Sequence, residues 1–175
     1  MGFARRTLLS SVAAVASLVL TACEASSSFP VRTYPLGDKI ALGHYVYVFY
    51  DTQWLTQLGE GSTARIPENR FFLVRFSVLN NGADETMVPN MILEDDNGRT
   101  YTELSNGEQV PQWVGFVRPV RPASSIQGHI VFDVPPAHYK IRFQDSDGAR
   151  SALVDIPLTF GREAPPELPP ALPKQ

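Results

Sequence analysis

Alternating apolar and polar residues along the middle of the chain predict strands. Within residues 71–79, four apolar residues recur at every second position, namely Phe72, Val74, Phe76 and Val78. This spacing places side chains on one face of a strand. Residues 126–134 alternate in the same way and end at Pro135, which cannot donate to a strand ladder. Both segments therefore predict strands with one buried face.

Five further apolar runs have the length of strands, and turn-forming residues separate the runs. The clearest turns are residues 80–82 (Asn-Asn-Gly), 95–98 (Asp-Asp-Asn-Gly) and 145–148 (Asp-Ser-Asp-Gly). The predicted strands are residues 45–50, 71–79, 91–93, 100–101, 126–134, 139–143 and 152–156. About seven short strands without a long amphipathic helix predict an all-β, antiparallel sandwich or small barrel.

The N-terminal segment has the pattern of an export signal. Arg5 and Arg6 precede an apolar run over residues 7–20. As a helix this run is about 21 Å long, shorter than the roughly 30 Å of a bilayer core. A basic start and a short apolar helix predict a secretory signal peptide. The paired arginines leave open whether export uses the general or the twin-arginine route.

The end of this segment, from Leu20 to Cys23, resembles the lipobox of bacterial lipoproteins. The resemblance implies cleavage between Ala22 and Cys23, a lipid on the Cys23 thiol, and acyl chains that hold the mature protein on a membrane, facing away from the cytoplasm. The alternatives are an ordinary signal peptide that contains a cysteine and a cysteine that is buried in the core. The residue after the cysteine is Glu24 and not the Asp that resembles an inner-membrane retention signal of lipoproteins. This difference favours the outer membrane if the cell is Gram-negative.

Composition divides the chain into four parts. We expect a signal peptide over residues 1–22 and a Ser/Pro-rich, flexible tether over residues 23–37. The folded domain is expected over residues 38–160. Residues 161–175 contain five prolines, which predicts an extended, disordered tail.

Charge and cysteine content exclude several classes of protein. The 175 residues include 15 Lys+Arg and 18 Asp+Glu, for a formal net charge of −3. Removal of the signal peptide takes Arg5 and Arg6 away and makes the mature chain more acidic. An acidic chain lacks the basic stripe of a nucleic-acid-binding protein. The single cysteine excludes an internal disulfide and a cysteine-cluster metal site.

The candidate catalytic groups are scattered. The three histidines, His44, His129 and His138, lack the close spacing of a zinc site. His129 is expected on the outer face of its strand. No nucleophile elbow, phosphate-binding loop or dinucleotide fingerprint is present in the sequence. We expect a non-enzymatic protein that needs no cofactor, and a hydrolase with an unrecognised site is an alternative.

An acidic turn offers a second alternative. Asp95 and Asp96 concentrate carboxylates that could hold Ca²⁺, although the segment lacks the spacing of an EF-hand loop. A hairpin turn explains the same residues without a metal. A small-ligand or Ca²⁺-binding module is therefore an alternative to the interpretation of this segment as a hairpin turn without a metal.

The segment over residues 112–122 is the candidate for partner binding. It carries Trp113, Phe116, Arg118 and Arg121, and Trp and Arg dominate binding hot spots. Its glycine and prolines predict an edge strand or a loop. The competing interpretation is that the two aromatic residues cover one end of the core and that both arginines are solvated.

Three segments together resemble the bacterial DUF4352-type domains. They are residues 78–81 (Val-Leu-Asn-Asn), the hairpin over residues 93–101, and the strand over residues 128–135. The resemblance covers about residues 37–157 and implies a telokin-like, immunoglobulin-fold sandwich in a secreted or lipid-anchored protein without a common enzymatic activity. Pro122-Ala123 stands where the family often has Pro-Gly. We expect a binding, scaffolding or envelope-maintenance role with an envelope protein as the partner.

Overall fold

A computed structural model describes residues 29–158, and strands dominate them. The expected signal peptide, Ala22, Cys23 and the tail at residues 161–175 lie outside the described residues. One short 3-10 helix spans Gly61–Thr63. The eleven strands are β1 (Arg32–Tyr34), β2 (Lys39–Leu42), β3 (Tyr45–Leu55), β4 (Phe71–Asn80), β5 (Thr86–Met87), β6 (Ile92–Asp95), β7 (Thr100–Thr102), β8 (Pro119–Val120), β9 (Ser125–Asp133), β10 (Tyr139–Gln144) and β11 (Ser151–Ile156).

The strands form two main sheets that pack as an immunoglobulin-like β-sandwich. The five-stranded sheet has the order β1-β11-β10-β6-β7, and the four-stranded sheet has the order β2-β3-β4-β9. Strands β5 and β8 form a separate antiparallel pair. The pairing of β1 with β11 is parallel, and the other strand pairs are antiparallel. The expected fold class is therefore confirmed.

The main core lies between the two sheets, as the period-two pattern predicts. Phe72, Val74, Phe76 and Val78 of β4 are all buried in it. Tyr139, Ile141 and Phe143 of β10 reach the same core from the facing sheet. The alternate positions in the second half of β4, from Arg75 onward, face outward and are only half-buried. Burial of one apolar face from each sheet is what holds a sandwich together.

A second, smaller core lies on the outer face of the four-stranded sheet. Phe71 and Leu73 of β4 and Val131 of β9 point outward, yet each is buried. Leu58 and Val110, from the two loops that cross this face, cover them. The chain therefore buries half of a sheet face that would otherwise be exposed to water.

The folded domain begins earlier than the sequence predicts. Strand β1 lies within residues 23–37, which were expected to be a flexible tether, and its register places Arg32 opposite Ala152. Tyr34 and Leu36 pack against the main core. The outer edge of β11 has backbone donors and acceptors to satisfy, and three residues are enough to pair with them. The prediction that the folded domain starts at residue 38 is therefore wrong, because the domain includes β1.

The structure has four strands beyond the expected seven. All seven predicted segments form strands or strand parts, and the additional ones are β1, β2, β5 and β8. Each of these has two to four residues, which is too short to show an alternating pattern.

The two ends of the sandwich carry different loops. One end, named here the Phe29 end, holds Phe29, the β2–β3 turn at Gly43 and the β10–β11 turn at residues 145–150. Gly43 lies against Asp145, and a Cβ added at Gly43 would lie 2.8 Å from the Asp145 Cβ. The opposite end, named the Asp96 end, holds the β6–β7 turn and the loop over residues 56–70.

Candidate functional site

The residues proposed for partner binding do not form one surface patch. Trp113 and Phe116 are half-buried, Arg118 is 1% exposed, and the side chain of Arg121 is 83% exposed. The expectation that both arginines are solvated is wrong for Arg118. Arg121 is the most exposed of the four residues.

Arg118 is buried because it pairs with a carboxylate from another part of the chain. Its Nη2 donates to Glu103 Oε1 at 2.9 Å and to Asn90 Oδ1 at 2.6 Å. Glu103 also accepts the backbone N–H of Met91. Burial raises the pKa of the Glu103 carboxyl, and the charge and hydrogen bond of Arg118 act against that rise. The pair fastens the loop after β7 to the segment before β8.

Trp113 has a structural position along the edge of β9. Its indole packs against Gly107 and the smaller core. The backbone beside it bonds to β9, since His129 N donates to Gln112 O at 2.9 Å and Val114 N donates to His129 O at 3.2 Å. Trp113 therefore covers the outer face of a sheet, whereas the sequence suggested one end of the main core.

Gly128 makes the close approach of this loop possible. A Cβ added to it would lie 2.1 Å from Gln112 O, far inside van der Waals contact. Gln112 itself has a φ of 52°, in the left-handed region that few non-glycine residues occupy. The loop is thus held against β9 at some conformational cost.

The other half of the same outer sheet face stays open and forms the best candidate binding surface. It is named here the open face, and a groove of about 310 Å³ lies on it. Val46, Val48 and Leu79 are half-exposed on its floor, and Tyr50 is 39% exposed. The residues that line the groove are Lys39, Val46, Val48, Tyr50, Ser77, Leu79, Ser125 and Gln127.

Paired side chains give the open face an apolar centre and a polar rim. Val46 lies directly opposite Leu79 on the neighbouring strand, so the two side chains meet across the ladder. At the rim, the Arg75 guanidinium lies 5.0 Å from the centre of the Tyr50 ring and binds Asp51. An apolar centre with aromatic and arginine residues around it is typical of protein-binding surfaces.

A second groove adjoins the open face and brings in Arg121. It has a volume of about 370 Å³ and shares Ser125 with the first groove. Arg121 Nε lies 3.5 Å from Glu85 Oε2 at its rim, where both side chains are exposed. Of the four predicted binding residues, only Arg121 lines either groove. The open face itself was missed, although the outward apolar pair Val46 and Val48 was a readable signal.

The acidic turn is organised as a hairpin. Asp95 Oδ1 accepts the backbone N–H groups of Asn97 and Arg99, both at 2.9 Å, and Oδ2 accepts Arg99 Nε at 2.7 Å. Burial acts to raise the pKa of the Asp95 carboxyl, but these hydrogen bonds together hold the pKa below its usual value. Asp96 binds His138 instead. Asp95 thus stabilises the hairpin turn, whereas Asp96 connects the turn to the segment before β10.

The three histidines lie apart and have different surroundings. His138 lies between two carboxylates, with Nδ1 2.8 Å from Asp96 Oδ1 and Nε2 3.0 Å from Asp155 Oδ1. The hydrogen bond to Asp96 is the main cause that raises the pKa of His138. His129 is on the outer face, as predicted, with Nδ1 2.8 Å from Pro111 O. His44 is exposed. Residues 29–158 contain no group of three His, Cys, Asp or Glu residues able to hold a metal ion.

The fold and the open face together define a small immunoglobulin-like sandwich with an exposed sheet surface. Residues 34–152, more than half of the chain, match the family described as "Domain of unknown function (DUF4352)". The chain belongs to this family, as the resemblance in the sequence indicated. No curated protein matches the chain.

Several solved structures share the fold. The yjhA protein of Bacillus subtilis is 14% identical, with a TM-score of 0.55, and the match covers 71% of this chain and 99% of that one. MPT63, a secreted protein of Mycobacterium tuberculosis, is 15% identical, with a TM-score of 0.52 over 74% of this chain and 100% of its own. An uncharacterized β-sandwich protein of Clostridium difficile is 10% identical, with a TM-score of 0.50 over 73% and 95%. In the described part of this chain, no helix is long and apolar enough to span a membrane.

Proposed function

We propose that this protein is a lipid-anchored binding module outside the cytoplasm, and that it acts through the open face without catalysis. Acyl chains on Cys23 hold the domain on a membrane of the cell envelope, the outer membrane if the cell is Gram-negative. An envelope protein binds the half-exposed aliphatic side chains of β3 and β4. No cofactor takes part.

The N-terminal sequence supports the anchored location. A basic start, an apolar run over residues 7–20 and the lipobox-like Leu20–Cys23 follow one another with the spacing of a lipoprotein signal. Two or three acyl chains anchor a protein stably, because each buried CH₂ contributes about 0.8 kcal/mol. The secreted protein MPT63 has the same fold, which agrees with a location outside the cytoplasm.

Metabolic labelling tests the anchor. Cells that express the protein are fed an alkyne analogue of palmitate, and label on the purified protein is detected by click chemistry and by intact mass. We expect label on the wild type and none on Cys23→Ser, which keeps its signal peptide or is found away from the membrane. Ala25→Ser, a small change two residues away, is the matched control and keeps the label. Label on the Cys23→Ser chain would contradict the anchor.

A single observation carries the binding role: the chain covers one half of an outer sheet face and leaves the other half open. The covered half holds Phe71, Leu73 and Val131 beneath two loops. The open half holds Val46 and Leu79 partly exposed to water. Contiguous exposed apolar side chains on a small domain mark interaction sites.

Photocrosslinking in intact cells tests the binding role. A photoreactive amino acid replaces Ser77, at the centre of the open face, and the control carries it at Thr102, an exposed position on the opposite sheet. We expect a discrete crosslinked species from position 77 that Leu79→Glu abolishes while the melting temperature changes little. Equal crosslinking from both positions, or no effect of Leu79→Glu, would refute the open face as the binding site.

A further inference from the structure

The Phe29 end of the sandwich exposes apolar and basic side chains side by side. Phe29 is 49% exposed and Val31 is 46% exposed. Arg32 and Arg150 flank them, and both are exposed. The Arg150 guanidinium lies 4.4 Å from the centre of the Phe29 ring, so the two side chains form a cation–π contact.

Two grooves meet at Phe29. One has a volume of about 280 Å³, and its lining includes Phe29, His44, Asp145, Asp147 and Arg150. The other has a volume of about 310 Å³ and is lined by Phe29, Pro30, Arg32, Tyr34, Leu42, Arg150 and Ser151. Phe29 and Arg150 belong to both grooves, so they form the ridge between them.

The second groove favours an anionic ligand, because two arginines and no acidic residue are among the described residues that line it. Arg32 and Arg150 supply two guanidinium groups, which match phosphate oxygens in geometry. Two acidic residues share the first groove, and they differ in exposure. Asp145 is 5% exposed and accepts the backbone N–H of Arg150 at 3.1 Å, whereas Asp147 is exposed. His44 is exposed beside them.

The short stretch of chain between Phe29 and the proposed lipid on Cys23 indicates that the ligand is a lipid bilayer. Only five residues separate Phe29 from Cys23. Six residue steps span at most about 20–22 Å when fully extended. An acyl chain on Cys23 therefore keeps Phe29 within about that distance of the bilayer surface, whereas the Asp96 end lies at the far side of the domain.

We propose that the Phe29 end is a membrane-contacting surface, in which Phe29 and Val31 enter the headgroup region of a phospholipid bilayer and Arg32 and Arg150 bind lipid phosphate groups. The inference rests on the lipid anchor proposed above. Aromatic and aliphatic side chains bind in this interfacial layer, and arginines beside them reach the phosphates. The contact fixes the orientation of the sandwich and turns the Asp96 end away from the membrane.

Bromine quenching of a tryptophan placed at the contact tests this surface. The acylated mature protein is reconstituted in vesicles of phosphatidylcholine and phosphatidylglycerol, with or without brominated phosphatidylcholine. Phe29→Trp places a reporter at the proposed contact. Ile66→Trp places a matched reporter at an exposed apolar residue toward the Asp96 end. We expect brominated lipid to quench Phe29→Trp well beyond the wild type, whose own tryptophans give the background, and to leave Ile66→Trp at that background.

Charge variants in the same assay test the role of the arginines. Adding Arg32→Gln or Arg150→Gln to Phe29→Trp should weaken the surface contact about fivefold each, because a basic residue near an anionic surface contributes roughly that factor. Asp147→Asn should strengthen the contact. If none of the three substitutions changes the quenching, the proposed contacts of Arg32 and Arg150 with lipid phosphates are overturned.

Intact mass of the same sample separates the two proposals. Acylated protein in which Phe29→Trp is quenched no more than Ile66→Trp would overturn the membrane-contacting surface and leave the anchor intact. Stronger quenching at position 66 would show that the domain is oriented the other way, which also overturns the inference. Protein that carries no acyl chain would overturn the anchor and this inference together.

Discussion

Removing one partner of the buried Arg118–Glu103 ion pair should destabilise the domain strongly. The side chains of Arg118 and Glu103 are 0% and 1% exposed, so Arg118→Met leaves a carboxylate that water does not reach. Breaking a buried pair in this way costs about 3–5 kcal/mol. We expect the lower half of this range, because Arg118 Nε and Nη1 have no hydrogen-bond partner among the described residues and the substitution removes those two desolvated donors as well.

A double-mutant cycle measures the pair directly. Arg118→Met, Glu103→Leu and the double variant are unfolded in urea and followed by circular dichroism. Each single variant should lose about 3 kcal/mol or more, and the double variant should recover most of that loss, because it leaves no unpaired charge. Losses below about 1 kcal/mol for the single variants, or a double variant whose loss equals the sum of both, would refute the reasoning.

The pH dependence of Arg118→Met provides a second check. Burial already raises the pKa of Glu103, and the substitution removes the charge that opposes this rise. A carboxyl with a raised pKa in the folded state stabilises the fold fully below its unfolded pKa, and the stability falls as pH rises through the folded pKa. The variant should therefore regain stability relative to the wild type when the pH is lowered toward about 4. An unchanged difference between the two proteins across this range would count against a buried, unpaired carboxylate.

Three further predictions concern single residues. Gly128→Ala should lose roughly 2–4 kcal/mol of stability in urea unfolding, because its new methyl group would lie 2.1 Å from Gln112 O. A change below about 0.5 kcal/mol would show that the loop along β9 moves away freely. Asn80→Asp should lose about 3 kcal/mol or more of stability in the same assay. The buried Asn80 amide donates to Asp84 O at 2.8 Å and to Val120 O at 2.9 Å, and a carboxylate would face those oxygens without a proton. Near-wild-type stability would refute this role of the Asn80 amide. The ion pairs of His138 should stabilise the fold fully below pH 6.5, the ordinary pKa of histidine, and this contribution should be lost as the pH rises through the raised folded pKa. The melting temperatures of the wild type and His138→Gln should therefore converge as the pH rises above that folded pKa. A gap that widens with pH would contradict the ion pairs.

The sequence was enough for the main core but not for the surfaces added outside it. The alternation of Phe72, Val74, Phe76 and Val78 reports one buried face, because each inward position needs an apolar side chain. The run Phe71 to Val74 is apolar at four successive positions, which is the pattern of a strand buried on both faces. That signal indicated the smaller core, but the sequence could not show which loop covers it.

Long-range pairings explain the remaining differences. Arg118 looks like a solvated loop residue until the fold brings Glu103, fifteen positions earlier, to within 2.9 Å of it. Strand β1 needs the free edge of β11, whose partner register no local pattern reveals. The outward positions of Val46 and Val48 are visible in the sequence, but the extent of the open face is not, because Val46 and Leu79 become neighbours only when β3 pairs with β4.

The loop along β9 also limits how the four-stranded sheet can pair with a second copy of the domain. Leu104 N donates to Val131 O at 2.8 Å, and the bonds around Gln112 occupy further groups along the same strand. An unsatisfied strand edge is a template onto which another chain can add. Among the described residues, this leaves β2 as the open edge of the four-stranded sheet. Two copies that join edge to edge through β2 would close as a symmetric pair, because the loop occupies groups along β9 that a third copy would need in this sheet. The loop therefore hinders the stepwise growth of this sheet from one copy to the next.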